Sequence, residues 1–254
     1  MRIFKDIDYV GQGNVAERLD LYLPEKESFP VFVYFHGGGI ETGDKTDNVF
    51  FFEHLVAQGI AVVSANYRMY PFAVYPEFIR DAAAAVAWTK KHIGEYGSCE
   101  GLFVGGSSAG GYISMMLCFD HSYLAVHRIK PTDVMGYVHD AGQPTTHFNV
   151  LRERGLDPRR VIVDEAAPLY HVKVGQNYPP MLFIVSDNDM ACRYEQTMLM
   201  LATLSHMGHS AEQHPHKLMH GKHCAYCRAA DENGQSVFGA LVAPFILENT
   251  KKDN

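Results

Sequence analysis

Long apolar runs are missing from this chain. None approaches the ~20 residues that crossing a bilayer requires, so no membrane span is expected. Basic clusters are missing as well: no Lys/Arg run exceeds two residues, and the formal net charge is −7. Nucleic acid and anionic membrane surfaces are therefore excluded as expected partners. The opening Met1-Arg2-Ile3-Phe4-Lys5-Asp6 lacks the apolar core of a signal peptide. Cysteine is scarce and odd in number. Cys99, Cys118, Cys192, Cys224 and Cys227 cannot all pair within one chain, which argues against an oxidised secreted scaffold. A reduced, cytoplasmic location is the expectation. Internal repeats, low-complexity tracts and Pro/Gly/Ser-rich linkers are absent too. What remains is 254 residues, 47% hydrophobic and 20% charged, enough to bury one sizeable core and unlike a disordered chain. One domain over residues 1–254 is expected.

Apolar runs of strand length alternate with longer runs of helical period, the mark of βαβ units around a mostly parallel sheet with helices on both faces. Asp6–Gly11 and Leu19–Leu23 read as antiparallel lead-in strands. Val31–Phe35 is apolar throughout, as a strand buried on both faces requires. Ile60–Ala65 repeats that pattern after a helix over Val49–Ala57 that stops at Gly59. A further helix opens at Pro76 and carries Ile79, Val86 and Ile93 on one face. The strands Leu102–Val104, Val134–Val138 and Met181–Val185 follow, with helices near Ser108 and over Tyr194–Leu204. A last strand near Glu212–Leu218 and a helix over Val237–Leu247 complete the series. Residues 143–173 break the rhythm and are expected to form a small lid insertion.

Gly106-Ser107-Ser108-Ala109-Gly110 matches G-x-S-x-G and lies between an apolar strand and a helix-forming run, the setting that motif needs. Small flanking residues allow the sharp turn that lifts a hydroxyl off the sheet edge, so Ser108 is the candidate nucleophile. The helix that follows points free N–H groups at a developing oxyanion. His36-Gly37-Gly38-Gly39, directly after Val31–Phe35, offers further N–H groups that no side chain obstructs. In this arrangement the acid follows the serine and the histidine comes last. Asp187 and Asp189 compete for the acid. Asp189 is preferred, because Asp187 lies only two residues past Val185, where an aspartate that turns back on its own backbone is expected. His214 and His216 fall inside the expected last strand, whereas His220 and His223 fall beyond it. His223 is preferred as base, since Gly221 lets the loop bend toward Ser108. His139 and His147 read as surface or core histidines. His220, His223, Cys224 and Cys227 are metal-ligand types, but one C-x-x-C without a second pair is weak evidence, and no metal is expected.

These residues resemble the hormone-sensitive-lipase-like branch of the α/β-hydrolase fold, and its small bacterial carboxylesterases and acetyl esterases in particular. Leu19-Asp20-Leu21-Tyr22-Leu23-Pro24, Asn66-Tyr67-Arg68, Pro76 to Trp88 and Ala167-Pro168-Leu169 carry the likeness beyond the two motifs. The resemblance implies hydrolysis of short-chain acyl esters, acetylated or feruloylated sugars among them, with no cofactor. It implies Ser108, Asp189 and His223 as catalytic residues, and the N–H groups of Gly38, Gly39 and Ala109 as oxyanion donors. Ile40 stands where many relatives carry an aromatic residue, and the N-terminal cap of longer relatives is missing from the sequence before His36. An amidase or formamidase would use the same residues, and a ligand receptor on a hydrolase without turnover would keep the fold. The partners expected are a small ester and, at most, a second copy of the chain.

Overall fold

A computed structural model describes residues 1–250, so the last four positions of the expected domain lie outside the described residues. In chain order the elements are β1 (Arg2–Asp8), β2 (Arg18–Leu23), β3 (Ser28–Phe35), α1 (Val49–Ala57), β4 (Ala61–Ala65), α2 (Glu77–His92), β5 (Ser98–Ser107), α3 (Ala109–Phe119), the short α4 (Ser122–Ala125), β6 (Gly136–Asp140), α5 (Phe148–Glu153), β7 (Met181–Asn188), α6 (Arg193–His206), β8 (His216–Lys222) and α7 (Val237–Thr250). The strands form one sheet in the order β1-β2-β4-β3-β5-β6-β7-β8. The β1–β2 and β2–β4 pairings are antiparallel, and every pairing from β4 through β3 to β8 is parallel.

The pleat of β3 explains why its run had to be apolar throughout. Val31, Val33 and Phe35 face one core, while Phe32 and Tyr34 face another on the opposite side of the sheet. The first core is closed by Phe78 and Ile79 of α2, Tyr112 of α3 and Met200 and Leu204 of α6. The second is closed by Phe51, Phe52 and Leu55 of α1 with Phe238, Val242 and Ile246 of α7. Helices on both faces cover the middle of the sheet, leaving the ends of its central strands and the two edge strands open.

Two strands lie about four residues from expectation, while β5 is longer at both ends and β6 lies two residues later than Val134–Val138. The first strand begins at Arg2 rather than Asp6, because its pairing with β2 is an edge ladder that exposed, polar side chains can line. The last strand runs over His216–Lys222, about four residues later than its sequence suggests. It pairs only with β7 and its side chains are mostly exposed. Backbone pairing, without an apolar face, defines it. His214 thus lies before the strand and His220 within it, reversing their expected placement.

The turn between β5 and α3 needs the chain to lie closer than any side chain allows. A Cβ on Gly110 would sit 1.9 Å from the carbonyl oxygen of Phe35, and one on Gly106 would sit 2.5 Å from the same atom. Both contacts are with backbone, which cannot swing away. Gly110→Ala is accordingly expected to cost about 3 kcal/mol, the upper end for overpacking, read as a lowered denaturation midpoint. A variant as stable as the parent would show that the turn can open at little cost.

Candidate active site

Ser108 occupies the tip of this turn with φ 56° and ψ −113°, a conformation that costs a non-glycine residue roughly 1–3 kcal/mol. Its N–H donates to the carbonyl of Asp140 at 2.8 Å, which pins the turn to the end of β6. Its neighbour has a different environment. Ser107 is buried and its oxygen accepts from the Tyr34 hydroxyl at 2.9 Å, while Asn48 donates to that hydroxyl at 2.9 Å. Of the two adjacent serines, Ser108 alone offers its hydroxyl to the histidine.

His223 follows β8 and faces Ser108 directly. Its Nε2 lies 2.8 Å from Ser108 Oγ, and its Nδ1 lies 2.5 Å from Asp189 Oδ1. The Asp189 side chain has no exposed surface. It accepts from the N–H of Met190 at 2.7 Å and of Ser186 at 3.3 Å. Burial alone would raise this carboxyl, but His223 and the two N–H groups hold it below the ordinary carboxylate range. Burial likewise opposes a charge on His223, yet Asp189 and the adjoining Cys224 together lift the imidazole to about 10.

The rival residues form a second pair farther out. Asp187 closes on His220 Nδ1 at 2.6 Å and accepts the Gly221 N–H at 2.9 Å. It bridges β7 to β8 and also meets the N–H of Asn188 in its own segment, the lesser of its contacts. His220 is 89% exposed, which places it outside the cavity. The structure thus contains two aspartate–histidine pairs along the same strand ends, and only the inner one meets the serine.

The glycine loop lies against the turn. A Cβ on Gly37 would touch Ser108 Cβ at 3.2 Å. Gly38 and Gly39 have φ of 108° and 66°, a backbone that leaves their N–H groups without another acceptor among the described residues, as is that of Ala109. His36 holds the loop from below: buried, stacked on Tyr67 at 4.5 Å, with its Nδ1–H donating to the Gly37 carbonyl at 2.7 Å. From residues 143–173, Asn149 donates to the Gly39 carbonyl at 2.9 Å. Thr145, Thr146, His147 and Asn149 are all buried, so that segment is rooted in the core. It contributes Phe148 to the cavity wall, while Ile40 is fully buried. His139 is also a core residue, packed against Phe183 and bonded to Ser114 at 2.9 Å; burial pushes its imidazole down to about 3.

The cavity above Ser108 measures about 830 Å³. Gly37, Gly38, Gly39, Phe148 and Met190 line it, and Glu41, Asp47, Asn48 and Arg228 supply polar groups. Two of its lining residues, Cys224 and Cys227, meet a residue that sequence reasoning missed. Asp140, fully buried at the end of β6, lies 3.2 Å from Cys227 Sγ and 3.9 Å from Cys224 Sγ. Its other oxygen accepts from the Tyr226 hydroxyl. The group His220, His223, Cys224 and Cys227 is not assembled, since His220 turns outward. A signal for Asp140 did exist: an acid ending a strand at the same sheet edge as Ser108 and Asp189.

Residues 77–246 match the profile of the prolyl oligopeptidase family, and residues 19–128 match the family BD-FAE. The chain belongs to the prolyl oligopeptidase family. It is similar to esterase LipI of Mycobacterium tuberculosis, with 40% identity over 37% of this chain and 30% of that one. It is similar to carboxylesterase NlhH of the same organism, with 36% identity over 44% of this chain and 36% of that one. The chain therefore spans about a third of the length of these curated relatives. Esterase B of Lactobacillus rhamnosis superposes with a TM-score of 0.82 at 18% identity, covering 99% of this chain and 87% of that one. This member of the prolyl oligopeptidase family is an α/β-hydrolase, and the esterases it resembles are those its sequence led one to expect. Among the described residues, no helix is long and apolar enough to cross a membrane.

The environment of His223 is measurable without turnover. Its ring is expected to titrate above 6.5 by NMR, because Asp189 stabilises the imidazolium, and to fall in Asp189→Asn. A titration unmoved by Asp189→Asn would contradict the pairing.

Proposed function

We propose that this chain is a serine carboxylesterase. The observation that carries this reading is the continuous path Asp189–His223–Ser108, with separations of 2.5 and 2.8 Å, opening into a cavity. His223 takes the Ser108 proton as the hydroxyl attacks an ester carbonyl. Asp189 fixes the imidazole with Nδ1 protonated and stabilises the cation that forms. The N–H groups of Gly38, Gly39 and Ala109 receive the oxyanion, each such donor contributing roughly 3 kcal/mol to the transition state. The alcohol leaves with the proton from His223, and water, activated by the same base, releases the acid.

The names of LipI and NlhH, an esterase and a carboxylesterase, support the choice of bond. Short acyl chains suit the acyl side, bounded by Phe148 and Met190. The polar groups of Glu41, Asp47, Asn48 and Arg228 suit a hydroxyl-rich alcohol such as a sugar. The same residues could cleave an amide, so p-nitrophenyl acetate and an N-formyl anilide are the discriminating pair. Preference for the anilide would replace the esterase reading with an amidase.

Ser108→Ala is expected to abolish ester turnover, and Ser107→Ala to leave most of it. Near-parental activity in Ser108→Ala would remove the basis of the proposal. Asp189→Asn should lower kcat on the order of 10⁴-fold, whereas Asp187→Asn should change it only a few-fold. Because His223 must be uncharged to accept a proton, kcat/KM should fall as pH drops through its raised pKa. The acidic limb should therefore lie above the 6.5 of a free imidazole.

Across p-nitrophenyl esters from C2 to C12, kcat/KM should peak at the short end. A maximum at C10 or longer would overturn the short-chain preference and leave the roles of Ser108 and His223 standing.

A further inference from the structure

The mechanism above makes no use of Asp140, Cys224 or Cys227, although all three converge beside its base. We propose that they form a three-ligand site for a zinc-type divalent cation, open on its fourth side toward His223, and that an ion bound there suppresses turnover at Ser108. The suppression rests on the esterase reading; the binding does not.

The geometry fits such an ion without rearranging the fold. One oxygen of Asp140, Oδ2, faces both thiols, at 3.2 Å from Cys227 Sγ and 3.9 Å from Cys224 Sγ. The three ligand atoms lie within 4.8 Å of one another. A tetrahedral zinc ion with ordinary bonds to sulfur and oxygen separates its ligands by about 3.5–3.8 Å, so these distances bracket what is needed. Each ligand is held independently of an ion. Asp140 ends β6, paired to Ser107 of β5, and its Oδ1 is oriented by the Tyr226 hydroxyl, the kind of outer contact that sets a ligating carboxylate. Cys224 has φ 52°, which directs it back over the turn Ala225–Arg228 that carries Cys227.

Charge points the same way. Asp140 is fully buried and makes no ion pair with Lys or Arg among the described residues. A carboxyl buried beside two thiols has no Lys or Arg to balance it, and a divalent ion would do so. Two sulfurs and one oxygen favour zinc-like ions over magnesium or calcium, which need oxygen ligands in larger number. Both cysteines line the cavity, so an ion can enter from it. On binding, the two thiols would release their protons to solvent and become thiolate ligands.

The fourth side explains the effect on the reaction. His223 Nε2 lies 3.7 Å from Cys224 Sγ and 2.8 Å from Ser108 Oγ. An ion on Cys224 either takes the Nε2 lone pair or places positive charge beside a ring that must become cationic. Both outcomes deprive Ser108 of its base.

The test is titration of the reduced chain with cobalt(II), followed by absorbance. One equivalent should produce a thiolate-to-cobalt charge-transfer band with the intense visible bands of a tetrahedral ion, and zinc should displace it. The band should be lost in Cys224→Ser and in Cys227→Ser, and weakened at least tenfold in affinity in Asp140→Asn. Absence of the band, or a band unchanged in the double variant Cys224→Ser/Cys227→Ser, would overturn the site. In parallel, zinc should inhibit ester turnover of the parent chain at least tenfold, reversibly by chelator. In Cys227→Ser the inhibition, measured against that variant's own metal-free rate, should disappear. A cobalt band without inhibition by zinc would overturn the inhibitory role. If the chain turns over no ester, the cobalt spectrum still decides the site by itself.

Discussion

Everything at this site depends on the approach of the Gly106–Gly110 turn to the carbonyl of Phe35. The contact is possible only because neither glycine carries a Cβ. It has two consequences at once. It forces Ser108 into its positive φ at the tip of the turn, and it brings the end of β3 against that tip. Because His36 to Gly39 follow Phe35 directly, the register that pairs Phe35 with Gly106 also lays the glycine loop beside Ser108. Nucleophile and N–H donors are thus set by one backbone contact, and the strain at Ser108 is sustained by the packing of β3 and α3 around it.

The same economy separates the two aspartate–histidine pairs. Asp187 and Asp189 lie two residues apart, as do successive same-side positions of a strand, but β7 ends at Asn188. Asp189 therefore leaves the strand and turns inward, where Ser186 and Met190 donate to it and solvent is excluded. Asp187 sits within β7 at the irregularity between Ser186 and Asn188, partly exposed beside the largely exposed His220. Water screens the outer pair and makes it weak, whereas the inner pair lies where its charge acts on Ser108 at close range.

Much of this was legible in the sequence, for physical reasons that differ by element. β3, β4 and α1 are buried on their packing faces, so their apolar runs mark them within three residues. Ser108 and the glycine loop were legible because close backbone approach admits almost no residue but glycine. β8 was not, since an edge strand with exposed His216, Lys217 and Leu218 carries no apolar period. That misplacement put His220 and His223 in one loop, when the strand holds the first and releases the second. The segment 143–173 was recognisable as an interruption, but not that Asn149 would steady Gly39. A single polar side chain at the start of a short helix gives no sign of its distant acceptor.

Asp140 was missed for a related reason, and its place follows from topology. Five neighbouring parallel strands, β3, β5, β6, β7 and β8, end at one edge of the sheet. Ligands in open α/β sheets lie outside the carboxyl ends of strands, and here each of these five delivers a residue there. β3 leads to the glycines, β5 to Ser108, β7 to Asp189 and β8 to His223. β6 lies between β5 and β7, so whatever ends it must fall beneath the line joining serine and acid. A hydrophobic residue at that position would only fill space. The chain instead places a carboxylate there, then curls the turn after His223 so that two thiols and the Tyr226 hydroxyl close on it. Packing alone does not require four polar groups at that point, with one of them, the Cys224 thiol, 3.7 Å from the base.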